Sequence, residues 1–248
     1  MRHRVAHRGY AAAAPENTLP AFASAVRGGA THVEFDVRTT ADGVPVVIHD
    51  RTLDRTTTGT GYVWDSPASS VLAVDAGSWF SPAFAGTRVP TLAATLDLLA
   101  PAGSQILLEI KPPATIDQVK AIVALVAERG LLSRTIIQSF DPDVVRQARE
   151  AAPGVRRGLL RQGFSPETVA LARELEVVCC NPSVDDVLAG PGAVRALTEA
   201  GIEVMPWTAN DMSQWATLAS AGVAGLITDH VAELTGWSAA RQPRSPRD

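Results

Sequence analysis

A TIM (β/α)8 barrel is the fold that this chain of 248 residues predicts, and three observations predict it. Eight short β-branched runs alternate with amphipathic stretches from one end of the chain to the other. The runs are apolar nearly throughout, as strands buried on both faces must be, and a parallel sheet is the arrangement that buries both. The length suits a single α/β barrel, and eight βα units are the number that closes one. A doubly wound open sheet is the competing arrangement of the same units.

Taken in order, the first strand is expected at residues 5–6 and the first helix at 17–27, with Asn17 as its N-cap. The second strand is expected at 32–37. A run at 44–48 then breaks the alternation, because only Ala41-Asp42-Gly43 separates it from the residues before it. Asp-Gly is a strong signal for a two-residue hairpin turn. With Asp42 and Gly43 as that turn, facing residues sum to about 85 in number, so His49 falls opposite Asp36 on one face of the ribbon. Residues 50–90 do not read as a βα unit. They are rich in Thr, Ser, Gly and Pro and carry Trp64, Trp79, Phe80 and Phe84, which suits an ordered insertion over the barrel mouth.

Regular alternation resumes with a strand at 106–110 and a helix at 116–129. Strands follow at 135–139, 157–160, 177–180, 203–207 and 225–228, separated by helices at 142–151, 166–174, 193–200 and 212–221. Residues 1–237 are therefore expected to form one domain. Residues 238–248, with Arg241, Pro243, Arg244, Pro246 and Arg247, are expected to be a disordered tail.

Charged residues make up 19% of the chain and the net charge is −4, so no overall positive field points to nucleic acid or to an anionic membrane. Any attraction for an anionic substrate must be local. Cys179 and Cys180 are adjacent in an apolar run, where neighbouring strand side chains face opposite ways, and they make poor disulfide partners. No run approaches the roughly 20 apolar residues of a membrane span, and the charged start of the chain, with Arg2, Arg4 and Arg8, is unlike a signal peptide. The expectation is a reduced, cytoplasmic enzyme without a stable membrane anchor.

Function in such barrels sits at the C-terminal ends of the strands. His7 and Arg8 end the first strand, Glu34 and Asp36 lie on the second, Glu109 and Lys111 end the third, and Trp207 ends the seventh. Glu34 and Asp36 are two apart, so both carboxylates project to one face, where they repel. A divalent cation relieves that repulsion, and Glu109 on the neighbouring strand supplies a third oxygen. An all-carboxylate set suits Mg²⁺ or Ca²⁺ rather than Zn²⁺. His7 and His49 fall beside this metal site, and an imidazole pair can divide the roles of general acid and general base near neutral pH. Arg8 and Lys111 bring positive charge for phosphate oxygens, or else serve as partners of the carboxylates. Glu16 is placed to orient His7 or Arg8 from behind. His3, His32 and His230 have no such context and receive no role.

These residues resemble those of the glycerophosphodiester phosphodiesterases. The resemblance runs from His7 to about Asp229. Its motifs are His7-Arg8-Gly9, Pro15-Glu16-Asn17-Thr18, Glu34-Phe35-Asp36-Val37, Asp42-Gly43 with Pro45-Val46-Val47-Ile48-His49-Asp50, and Leu108-Glu109-Ile110-Lys111. Gln138-Ser139-Phe140, Trp207-Thr208 and Thr228-Asp229 follow in the same order. The resemblance implies a TIM barrel with an insertion over about 51–88, metal ligation by Glu34, Asp36 and Glu109, and acid and base roles for His7 and His49. It further implies phosphate contact by Arg8 and Lys111, and Trp207 lining the pocket for a glycerol moiety. The substrate would be a small glycerophosphodiester, cleaved to glycerol 3-phosphate and an alcohol such as choline or ethanolamine. One departure is visible. Many relatives have Arg-Pro after Thr228-Asp229, where this chain has His230-Val231, which touches loop geometry rather than chemistry.

Two other readings compete. One is a relative of lysophospholipase D or sphingomyelinase D type, acting on lipids through an apolar groove for which the aromatics of the insertion are the material. The other is a catalytically silent barrel, since fold alone guarantees no activity.

Overall fold

The computed structural model describes residues 1–190 and 192–241. Its strands are β1 (His3–Ala6), β2 (His32–Thr39), β3 (Pro45–Val47), β4 (Gln105–Ile110), β5 (Thr135–Ser139), β6 (Arg156–Arg161), β7 (Cys179–Pro182), β8 (Glu203–Val204) and β9 (Gly225–Thr228). The helices between them are α1 (Leu19–Arg27), α2 (Ala68–Val71), α3 (Leu92–Leu99), α4 (Ile116–Glu128), α5 (Pro142–Ala151), α6 (Pro166–Glu174), α7 (Val184–Ala189), α8 (Gly192–Glu199), α9 (Trp215–Ser220) and α10 (Val231–Ala240). None of the described helices is long and apolar enough to cross a membrane.

Eight strands run parallel in the order β8-β7-β6-β5-β4-β2-β1-β9. The two ends meet, because Ala224 N–H donates to Val204 O at 2.8 Å and Ile227 N–H to Pro206 O at 3.0 Å. The sheet therefore curls into a closed barrel rather than an open doubly wound sheet. Its lower interior is filled by Val5, Leu107, Ile136, Cys179, Met205 and Ile227. Higher up, where the register sets Asp36 beside Glu109 and Glu109 beside Gln138, the interior turns polar.

β3 lies outside this circle, antiparallel to β2, and its register corrects the expected hairpin. Paired residues are Val37 with Val47, Arg38 with Val46 and Thr39 with Pro45, a sum of 84 rather than 85. The turn holds three residues, closed by Thr40 N–H donating to Val44 O at 3.1 Å, with Gly43 at φ +84° supplying the left-handed position that only glycine takes freely. The extra turn residue puts Ile48 opposite Asp36, with Ile48 N–H donating to Asp36 O at 3.0 Å. His49 passes beyond the ladder and is held by other means.

The segment between β3 and α3 is ordered, around buried Val46, Ile48, Leu53, Val63, Val71 and Val89. Several boundaries differ from expectation. Helix α3, buried through Leu92, Leu96 and Leu99, escapes the pattern because its outward face carries Ala93, Ala94 and Leu98 and a single charge, Asp97. The strand expected at 177–180 starts at Cys179, since Glu176 takes φ +52° and Val177 N–H caps the preceding helix on Ala172 O. The strand expected at 203–207 ends at Val204, ahead of Pro206, which has no N–H to give a ladder. Residues 238–240, expected in the tail, complete α10, where Ser238 is buried; residues 242–248 lie outside the described residues.

Candidate active site

At the C-terminal mouth of the barrel, Glu34, Asp36 and Glu109 each offer a carboxylate oxygen within 4.8 Å of the others, and all three side chains are buried. Asp36 and Glu109 are register neighbours on adjacent strands, and Glu34 is one interior position below, so the sheet itself makes the cluster. Burial, reinforced by the charges of Asp36 and Glu109, lifts the Glu34 carboxyl well above its usual range. Burial and Asp36 push Glu109 up to about 7 despite Lys111. Burial would lift Asp36 too, but Lys111, Arg8 and Asn17 outweigh it and hold this carboxyl far below its usual range.

Lys111 Nζ stands 3.0 Å from Asp36 Oδ1 and 2.6 Å from Glu109 Oε1, and the charges of both raise its affinity for a proton against the opposing pull of burial. Of the two roles open to Lys111, partnership with the carboxylates is thus the one seen. Arg8 is split between partners: its backbone N–H donates to Glu34 Oε2 at 2.8 Å, its Nη1 to Glu16 Oε1 at 2.8 Å, and its Nε lies 3.4 Å from Asp36 Oδ2. That reach requires a sharp turn. Arg8 sits at φ +54° and Gly9 at φ +83°, and a Cβ at Gly9 would come within 2.7 Å of the Ala21 backbone.

The two imidazoles share one construction. His7 Nδ1 is 2.7 Å from Asp229 Oδ1, and His49 Nδ1 is 2.7 Å from Asp50 Oδ1. Because a carboxylate only accepts, Nδ1 carries the proton in each ring and Nε2 is left for chemistry. Asp229 is steadied by Asn210 Nδ2 at 2.6 Å, Asp50 by the Arg55 fork at 2.6 and 3.1 Å. Burial lowers the proton affinity of His49, with Asp36 opposing. Asp50 is drawn down to about 2 by its hydrogen bonds from Arg55 and His49, which overcome its partial burial.

Both histidines, Arg8, Glu34, Glu109, Lys111 and Trp207 line one cavity of about 170 Å³. The remaining wall is largely apolar. Trp207 packs edge to face on Phe140 with centroids 5.4 Å apart, and its indole N–H donates to Asn181 O at 2.9 Å. Every residue expected at the site is thus at the mouth, although Glu16 grips Arg8 and Arg55 rather than His7.

One expectation is corrected. Asn17 is not the N-cap of α1; Thr18 is, its hydroxyl accepting from Ala21 N–H. Asn17, buried at φ +56°, donates from Nδ2 to Asp36 Oδ2 at 2.7 Å and accepts from Asp36 N–H, because the left-handed backbone turns its amide toward the barrel interior. Sequence reasoning gave no role to Asp50 or Asp229, although both stand in the motifs, and did not single out Arg55. The first two carried a signal, as an acid directly after His49 and an acid ending the last strand; Arg55 carried none.

A phosphodiester is a hindered anion whose cleavage needs charge neutralisation and a proton for the departing alcohol. A barrel mouth offering a carboxylate cluster, two carboxylate-oriented imidazoles and a divided guanidinium belongs with the phosphoric diester hydrolases. The Glycerophosphoryl diester phosphodiesterase family matches residues 7–233, and this chain is a member of it. A glycerophosphodiester phosphodiesterase of Caldanaerobacter subterraneus is 34% identical over 91% of this chain and 93% of its own length. The crystal structure of a glycerophosphodiester phosphodiesterase from Agrobacterium tumefaciens covers 95% of this chain and 100% of that one at 32% identity, with a TM-score of 0.83. An Oleispira antarctica phosphodiesterase, in complex with the product sn-glycerol-3-phosphate, is 26% identical, covers 94% of each chain and has a TM-score of 0.85.

Proposed function

We propose that this barrel, as one catalytic unit, hydrolyses small glycerophosphodiesters to glycerol 3-phosphate and an alcohol, with His7 and His49 as the general acid and base. The observation that carries the reading is the pairing of two imidazoles, each with Nδ1 occupied by its own carboxylate, on the cavity that also exposes the acidic cluster. A phosphodiester fits a wall that places Arg8 and Lys111 beside an aromatic surface, Trp207, for the glycerol moiety. The product bound in the Oleispira antarctica relative accords with that substrate class.

The acidic cluster fits a hard divalent cation, Mg²⁺ or Ca²⁺. Three buried carboxylates lie close enough to disturb one another's protonation, and the Glu34 carboxyl receives one hydrogen bond among the described residues, from Arg8 N–H. Glu34, Asp36 and Glu109 would hold the ion, which when bound would neutralise charge on the phosphate oxygens. In the cleavage itself, one imidazole takes the proton of the attacking hydroxyl at Nε2 as the new P–O bond forms. The other, as an imidazolium, gives its Nε2 proton to the alcohol oxygen as the old P–O bond breaks. The attacking hydroxyl is that of water or of the substrate's glycerol, the latter passing through a cyclic phosphate that water then opens.

Release of glycerol 3-phosphate from glycerophosphocholine tests this. Replacing either His7 or His49 with Ala is expected to lower turnover about 10²- to 10⁴-fold, with the fold kept by circular dichroism. Near-normal turnover would remove that histidine from the mechanism. Chelation should stop the reaction reversibly, and full activity in metal-free buffer would end the cation assignment. Turnover of lysophosphatidylcholine in preference would replace the substrate class, and no turnover of any phosphodiester would leave a silent barrel.

A further inference from the structure

Arg55 belongs to the inserted segment, outside every barrel strand, and its side chain is about half exposed at 46%. Its fork is nonetheless fully engaged on two sides. Nε and Nη2 donate to Asp50 Oδ2 and Oδ1 at 2.6 and 3.1 Å, while Nη1 and Nη2 donate to Glu16 Oε2 and Oε1 at 2.9 and 2.8 Å. Each acceptor also takes a hydrogen bond from the cavity wall, Asp50 from His49 Nδ1–H and Glu16 from Arg8 Nη1. One guanidinium therefore joins the group that orients an imidazole to the group that orients a phosphate-facing cation.

From this geometry we infer that Arg55 is a positioning residue, the clamp by which the inserted segment sets both His49 and Arg8. The inference rests on the catalytic role proposed for His49. Because the β2–β3 ladder ends before His49, the ring has no cross-strand partner to set its direction. Arg38 Nε of β2 anchors the His49 carbonyl at 2.9 Å, but the Asp50 carboxylate that sets the ring can serve as a fixed reference only if its own side chain is held from outside the loop. Glu16 holds it, from the segment before α1, through Arg55. Lysine is no substitute, since a single ammonium lacks the planar fork that addresses two carboxylates at once. A purely structural clip predicts something different. Exposed ion pairs contribute little to folding, so removing this one would leave both stability and turnover almost unchanged.

The test is steady-state kinetics on the full chain with glycerophosphocholine, comparing wild type, His49→Ala, Arg55→Ala, Arg55→Lys, Asp50→Asn and the Arg55→Ala/Asp50→Asn double variant. Arg55→Ala is expected to lower kcat about 10- to 100-fold, with a smaller change in KM and a melting temperature near that of wild type. Arg55→Lys should stay impaired, and guanidinium ion added to the Arg55→Ala protein should restore part of the lost kcat. The double variant should lose less than the product of the two single losses, because both share the path through Asp50 to His49 while the arm through Glu16 to Arg8 belongs to Arg55 alone. An Arg55→Ala kcat within about twofold of wild type, losses that multiply in the double variant, or no recovery with guanidinium would each overturn the inference. Wild type active and His49→Ala inactive would confine such a failure to Arg55. A fully active His49→Ala protein would instead defeat the functional reading and this inference with it.

Discussion

Histidines stand at both ends of this barrel, and their surroundings assign them opposite duties. At the C-terminal mouth His7 and His49 each spend Nδ1 on a carboxylate and line a cavity. At the N-terminal end His3 and His32 begin β1 and β2 and pack edge to face, with ring centroids 4.8 Å apart. His3 Nε2 is paired with Glu203 at 3.0 Å, and His32 Nδ1 lies 3.0 Å from the Thr31 hydroxyl. Burial, with His3 and Arg156 adding to it, pushes His32 down to about 3, so this ring is a neutral packing element. An imidazole is made useful by what its remaining nitrogen faces, and at the lower end that nitrogen faces protein.

On this contrast, changes at the mouth should cost turnover, and changes at the lower end should act on stability alone and leave turnover untouched. Lys111 is the sharpest probe, because it ties two buried carboxylates together. Lys111→Met should lose activity and also about 3–5 kcal/mol of unfolding free energy in metal-free buffer, since it leaves buried charge uncompensated. Urea unfolding with and without Mg²⁺ or Ca²⁺ measures this, and added cation should return part of the loss. Unchanged stability would mean that the carboxylates relieve their repulsion by protonation alone.

Asp229→Asn comes next. It should lower kcat about 10- to 100-fold through the tautomer and tilt of His7, with little change in melting temperature. A variant as active as wild type would show that His7 needs no carboxylate. The smallest effect belongs to the lower end. A base whose folded affinity for protons is depressed leaves the unfolded chain binding more protons as pH falls below about 6.5, so stability declines from there toward about pH 3, by at most roughly 1.4 kcal/mol per pH unit. His32→Gln should flatten that decline in urea titrations and leave kcat unchanged. Curves that superpose would deny His32 its buried, neutral state.

The parts of the site legible in the sequence were those that strand geometry dictates. Glu34 and Asp36 share a face by parity, and Glu109 follows once its strand is adjacent. His49 was placed near the acids by a turn count that was off by one residue, and the conclusion survived because the inserted segment, not the ladder, directs the ring. Asn17 was misplaced because N-cap chemistry and an amide at φ +56° look alike in a sequence. Arg55 was invisible, as one arginine among many in a loop whose path no periodicity reveals.

Periodicity and composition alone pointed to eight βα units, the interior carboxylates and the strand-end histidine, because these follow from side-chain alternation, whereas closure of the units into a barrel was decided by the pairing of its two ends. The partners of each charged group were decided only on folding. Asp229 meets His7 across 222 positions of chain, and Arg55 meets Glu16 across 39. Such pairings depend on where loops return in space, and local sequence carries no record of that.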